Sequence, residues 1–369
     1  MTLPVKPSVL SESLEKSLEP IRSAPDAQQR YVTLDALRGV AALAVVVVHI
    51  PMLFGLPHQV SSGLAVDLFF ILSGFVVEHA YGGHLRREMT FSRFIAVRMI
   101  RLYPLYIFGL MCYTLFYFAR PNLAAVSMVP GTLLALVYLP TPPSISFDPK
   151  FLFPVNPVSW SLFCELFVNI LYALFMVRLS ARSLFPIIVI FGMALLVEKT
   201  YLQATIDTLG PWSILLDGIP RALFSFFAGV LINRLSPHRS YAGSSVVILA
   251  LIAIFAFNFG KQFQPIYELL VILIAFPALL FYASLTTANG QQSQVYVLLG
   301  AISYPMYVIH MPVVLWVSAV FPRVFGQGLV TIAPWGGLAM ISLIALVSYL
   351  LDRAYDEPTR RWLKQRMIR

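Results

Sequence analysis

The sequence predicts an all-α polytopic membrane protein with about ten transmembrane helices, both termini cytosolic, and one short interfacial or re-entrant helix. Three observations carry that expectation. The 369-residue chain is 59% hydrophobic and only 12% charged, with a mean hydropathy of +0.79, far from the balance of a water-soluble domain. Its apolar residues fall in runs of bilayer-spanning length, roughly 17–25 residues. Its basic residues gather between alternate runs, as expected when one side of each loop pair faces the cytosol.

The expected spans, in order, are 34–54, 64–81, 102–119, 159–177, 184–198, 214–232, 242–259, 266–285, 296–318 and 330–351. The fifth is short. A further apolar stretch, 124–139, is also short and contains Pro130 and Gly131, so its length alone does not decide between a span and a helix in the interface. Charge decides. If 124–139 does not cross, twenty of the 26 basic residues lie inside and only Arg120, Lys150, Lys199, Lys261 and Arg323 outside, with Arg221 within a span. If it crosses, the division becomes fourteen against eleven and the asymmetry vanishes. The chain therefore divides into a flexible cytosolic tail (1–33), a transmembrane domain (34–352) and a basic cytosolic tail (353–369).

Several function classes are disfavoured at once. The first 33 residues carry Lys6, Glu12, Glu15, Lys16, Glu19, Arg22, Asp26 and Arg30 without an apolar core, so they form neither a signal peptide nor a span. Cys112 and Cys164 both lie in apolar segments, giving no disulfide framework and no metal-ligand spacing, and no metal is expected. The net charge of +9 follows membrane topology, since the basic residues sit at helix ends; no nucleic-acid partner is expected.

Ionisable residues inside spans mark functional candidates. The first span, LDALRGVAALAVVVVHI, carries Asp35, Arg38 and His49 on one helix face. Arg38 and His49 lie roughly 16 Å apart along the axis, too far to touch but able to line one groove. A cytosolic arginine cluster follows: Arg86, Arg87 and Arg93, with Arg98 and Arg101 three apart on one face just before Tyr103-Pro104. Clustered guanidinium forks suit a polyphosphate, while Arg86, Arg87 and Arg93 fit a role in topology or lipid headgroup contact. A second group falls in the outer half of the membrane by residue count: His49, His310 and Glu165. A histidine can take a proton from a hydroxyl, and a neighbouring carboxylate can fix its tautomer. Ser73-Gly74 offers a nucleophile or a close-packing point, although no nucleophile elbow surrounds Ser73. Asp217 and Arg221, four apart, can pair within a helix, and Asp67 lies near the outer end of the second span.

Five motifs resemble the acyltransferase family 3 of integral membrane acyltransferases: LDALRG with ten residues intervening between Arg38 and His49, FFILSGF at 69–75, RMIRLYPLY at 98–106, WSLFCE at 160–165 and SYPMYVIHMPV at 303–313. The tail around Tyr355-Asp356-Glu357-Pro358 is similar as well. The resemblance implies transfer of an acyl group, most often acetyl, from cytosolic acyl-CoA to a hydroxyl of an extracytoplasmic or lipid-linked sugar or polysaccharide. It implies a multi-pass protein of the inner membrane and a standalone member without the fused esterase-like domain. The residues matching those on which the family relies are Arg38 and His49. Acetyl-CoA is expected as donor substrate, with no permanently bound cofactor. Expected partners are acyl-CoA, the glycan acceptor, the lipid bilayer and other glycan-assembly proteins. On this reading Arg38, Arg98, Arg101, Asp35 and Ser73 hold the donor, and His49, His310 and Glu165 form the catalytic group, with Glu165 assisting His49. A transporter or flippase for a lipid-linked glycan is the alternative, since buried His, Glu and Arg also line substrate paths. No paired halves or matched broken helices accompany them.

Overall fold

A computed structural model describes residues 31–56, 63–119, 125–202, 210–237 and 241–367. Of the expected N-terminal tail, only residues 31–33 fall among these. The described residues form eleven helices: α1 Val32–His49, α2 Leu64–Arg87, α3 Phe91–Phe118, α4 Ala125–Leu136, α5 Ser159–Met176, α6 Ala181–Leu202, α7 Gly210–Leu235, α8 Ser244–Ala256, α9 Gln262–Ser284, α10 Gly290–Phe325 and α11 Trp335–Met367. A two-residue parallel pairing, Tyr241–Ala242 with Thr286–Thr287, is the only strand structure among the described residues. The protein is an all-α polytopic membrane protein.

Nine of the helices are long and apolar enough to cross a bilayer. The seventh expected span, 242–259, is the exception. It yields only the thirteen residues of α8, bounded by Gly243 at φ +134° and by Phe257 in extended conformation. At about 1.5 Å per residue this helix covers roughly 20 Å, short of a hydrocarbon core. Helix α4, within the stretch 124–139, has twelve residues. Its last carbonyls are claimed from α3, where the Tyr106 hydroxyl donates to the Ala135 oxygen at 2.7 Å and the Tyr103 hydroxyl to the Leu136 oxygen at 2.9 Å. Hydroxyls of α3 thereby donate to the last carbonyls of this helix.

Two differences from the sequence reading bear on the site. Helix α1 stops at His49 instead of running on to 54, because Ile50 precedes Pro51 and leaves the helical region (φ −129°, ψ 36°) before a 3₁₀ turn over Pro51–Phe54. His49 is thus the last helical residue and not an interior one. The C-terminal segment, expected as a tail, continues α11 through a π-helical turn, Asp352–Asp356, into the helix Glu357–Met367. Tyr355 donates to the Pro104 oxygen at 3.2 Å, tying this end to α3.

Glycines set the closest helix contacts. A Cβ on Gly74 of α2 would lie 1.9 Å from the Phe226 carbonyl oxygen of α7, and one on Gly229 of α7 would lie 2.0 Å from the Ile71 oxygen of α2. Helices α1 and α10 meet in the same way, with Gly39 against Leu299 and Gly300 against Asp35. Small residues let membrane helices approach until backbones touch. Between them, Ala42, Val46, Ile302, Met306, Met340 and Ile344 form an apolar core joining α1, α10 and α11.

Candidate active site

Helices α1, α2, α3, α5, α7 and α10 line two cavities that share a wall. The first is lined by Arg38 of α1, Ser73 of α2, Arg98 and Arg101 of α3, Glu165 of α5 and Tyr304 of α10. The second is lined by His49 at the end of α1, Trp160 of α5, and Asp217 and Arg221 of α7. Each has a volume suited to a small-molecule ligand, about 680 Å³ and 1280 Å³ respectively, counting the open mouth. Val66 and Tyr307 line both.

The charges of the first cavity are organised unevenly. Arg98 is buried and forms a charge-assisted hydrogen bond to Glu165 Oε1, which also accepts from the Ser73 hydroxyl at 3.0 Å. Arg38 lies 3.6 Å from Asp35, its neighbour one turn earlier. Arg101 lines the same cavity and forms no ion pair among the described residues. Asp356 of α11 acts on Arg101 at longer range while pairing with Arg360 at 3.1 Å. Arg101 therefore retains donor capacity for an anion, as does Arg38, whose 3.6 Å approach to Asp35 is too long for a hydrogen bond, while Arg98 is held by Glu165.

The two histidines come together. Their ring centroids are 4.9 Å apart. His49 Nδ1 lies 2.7 Å from the Val45 carbonyl oxygen, and His310 Nδ1 lies 2.8 Å from that of Tyr307 and 3.2 Å from that of Met306. A carbonyl only accepts, so each Nδ1 carries a proton, and in the neutral form of either ring Nε2 is the nitrogen left free. Their surroundings then separate them. His49 is exposed toward the second cavity, whereas His310 is fully buried and its Nε2 has no hydrogen-bond partner among the described residues.

Glu165 does not join this pair. Residue counting set it at the depth of the histidines, yet its carboxylate faces the first cavity, held by Arg98 and Ser73. Depth along the membrane normal says nothing of the direction a side chain takes around its helix. The backbone carbonyl of Val45, one turn back along α1, orients His49 instead. Ser73 and Gly74 likewise divide their roles: Gly74 makes the close contact with α7, and Ser73 bonds Glu165.

Other charged candidates form structural networks. Arg221 holds the buried Asp67 through two hydrogen bonds, Nε to Oδ1 at 3.0 Å and Nη2 to Oδ2, and holds Asp217 at 3.0 Å, as the spacing of four predicted. Lys199 completes the set against Asp217 and lies 3.7 Å from Glu198. Arg86 pairs with the buried Glu78 at 2.7 Å, and Arg234 reaches the same carboxylate at 3.0 Å. Its role thus extends beyond topology and lipid contact. Sequence reasoning passed over Tyr304 and Tyr307 as individual residues. The signal was their three-residue spacing with His310, which sets all of them near one face of α10.

Comparison with known proteins identifies the family. The family model described as an acyltransferase domain, acyltransferase family 3, matches residues 31–353. A curated relative, "Protein 2 in picA locus" of Rhizobium radiobacter, is 37% identical over 183 residues, covering 46% of this chain and 94% of its own length. "Acyltransferase MdmB" of Streptomyces mycarofaciens is 26% identical over 91% of this chain and 93% of its own. No solved structure matches the chain significantly. With the family model spanning the whole helical bundle that builds both cavities, the chain belongs to acyltransferase family 3, and its chemistry is acyl transfer.

Proposed function

We propose that the protein is an O-acyltransferase of the inner membrane. It moves an acyl group, most simply acetyl, from cytosolic acyl-CoA to a hydroxyl of an extracytoplasmic or lipid-linked sugar. The observation that carries this reading is the pair of adjoining cavities, one lined by Arg38, Arg98 and Arg101 and the other faced by His49. The phosphates of CoA suit the arginine cavity, where Arg101 has donors to spare and where basic residues favour the cytosolic side. The narrow pantetheine arm then follows α1 over roughly 16 Å from Arg38 toward His49.

His49 Nε2 takes the proton of the acceptor hydroxyl as its oxygen attacks the thioester carbonyl. The new C–O bond replaces the C–S bond, and the CoA sulfur leaves as a thiolate that takes up a proton. His310 stands behind His49 and packs against it, while Glu165 keeps Arg98 in place for the donor. Holding both substrates in register is itself a large part of the rate.

The test uses detergent-purified protein with radiolabelled acetyl-CoA, assayed for binding and for transfer to a panel of sugar acceptors, with folding followed by thermal melting. Saturable binding and label transfer are expected. A well-folded protein that binds no acetyl-CoA contradicts the donor assignment.

A further inference from the structure

The wall between the cavities is built from few side chains, and one of them is tethered. Tyr307 of α10 lines both cavities, and its hydroxyl is hydrogen-bonded to the Ser161 hydroxyl of α5, which lines the first. Ser161 is fixed in turn by donation to the Val158 carbonyl oxygen at 3.1 Å. The Tyr307 ring meets Phe69 of α2 edge-on, at 5.5 Å between centroids. Both tether residues are buried, and the carbonyl of Tyr307 accepts from His310 Nδ1 one turn along. Beside Val66, one aromatic ring, braced from α2 and α5, thus stands between the two cavities.

We infer that Tyr307, held by Ser161, sets the size of acyl group that the enzyme transfers. The inference rests on the donor and acceptor sites proposed above. With CoA phosphates in the first cavity and the acceptor before His49 in the second, the thioester carbonyl must lie at the shared wall, and the acyl chain must be accommodated against its ring. A short acyl group fits beside a fixed phenol, and each further methylene has to displace it. One methylene in a shaped apolar pocket is worth roughly 10-fold to 200-fold in discrimination. Tyr307 is thus a specificity-determining residue. Ser161 acts through it as a positioning residue.

The test compares acetyl-CoA with butyryl-CoA for wild type, Tyr307→Ala, Tyr307→Phe and Ser161→Ala, reading the ratio of kcat/KM for the two donors, with melting temperature followed throughout. Tyr307→Ala is expected to raise the butyryl-to-acetyl ratio at least about tenfold. Tyr307→Phe and Ser161→Ala keep the ring but break the tether, and are expected to raise the ratio about threefold or more. If Tyr307→Ala does not fold, those two variants decide the matter by the same ratio. A ratio unchanged in folded variants that still transfer acetyl overturns the inference and leaves the donor site standing. Folded wild type that binds no acyl-CoA overturns the donor reading first, and this inference with it. A residue that merely supported the fold would lower both activities together and leave the ratio where it was.

Discussion

Two clusters in this protein use the same residue types and differ in how their charges are closed. Around Arg221, each cation is matched: Asp67 and Asp217 hold Arg221, and Asp217 and Glu198 hold Lys199. Around Arg101, Arg38 and Arg98 have carboxylate partners, but Arg101 itself enters no ion pair among the described residues. The first arrangement leaves no cation unmatched and joins α2, α6 and α7. The second leaves attraction for a ligand. Buried charge is a marker of function only when its partners are counted, since a network of arginine and aspartate closed on itself also serves to tie helices together.

The comparison can be broken or sharpened by substitution, beginning with the largest effect. His49→Ala is expected to lower transfer by roughly 10²-fold to 10⁴-fold, the usual contribution of a general base, while leaving acetyl-CoA affinity within about twofold. Calorimetric binding beside a turnover assay checks both parts. Arg221→Met strips Asp67 of its partner and is expected to cost roughly 3–5 kcal/mol of stability, seen as a large fall in melting temperature or loss of folded protein. A stable Arg221→Met would place that cluster among the ligand-binding groups instead. Arg101→Ala should keep the wild-type melting temperature and weaken acetyl-CoA binding by about tenfold to a hundredfold, the equivalent of roughly 1.5–3 kcal/mol for hydrogen bonds to a charged group. The smallest change is Ser73→Ala, which loosens Glu165 and is expected to raise the KM for the donor by a few fold, about 0.5–1.5 kcal/mol.

Much of this arrangement was legible in the sequence because hydropathy and helix periodicity are one-dimensional signals. Nine of the expected spans correspond to long apolar helices, and the arginines 98 and 101, three apart, do line one cavity. Residue counting also put His49 and His310 at similar depth, and their rings are neighbours. What escaped was lateral. Asp67 and Arg221 are 154 positions apart, and nothing in either local pattern announces that α2 packs on α7. The same blindness assigned Glu165 to the histidines when its side chain turns to the arginines. The end of α1 was within reach, since Ile50-Pro51 is a stop signal standing inside an otherwise apolar run. The shortness of α8 is fixed by Gly243 and by the extended Phe257, which an apolar window averages away.

Separation of binding from chemistry is the central claim, and saturation kinetics test it most directly. Transfer would be measured in single turnover as a function of acetyl-CoA concentration for Arg101→Ala and His49→Ala in parallel. The account predicts that Arg101→Ala regains nearly the wild-type rate once acetyl-CoA is saturating, whereas His49→Ala remains slow at every concentration. Equal loss of the saturated rate in both variants, or an unchanged donor requirement in Arg101→Ala, would contradict the division of the site into an arginine cavity that binds and a histidine cavity that reacts.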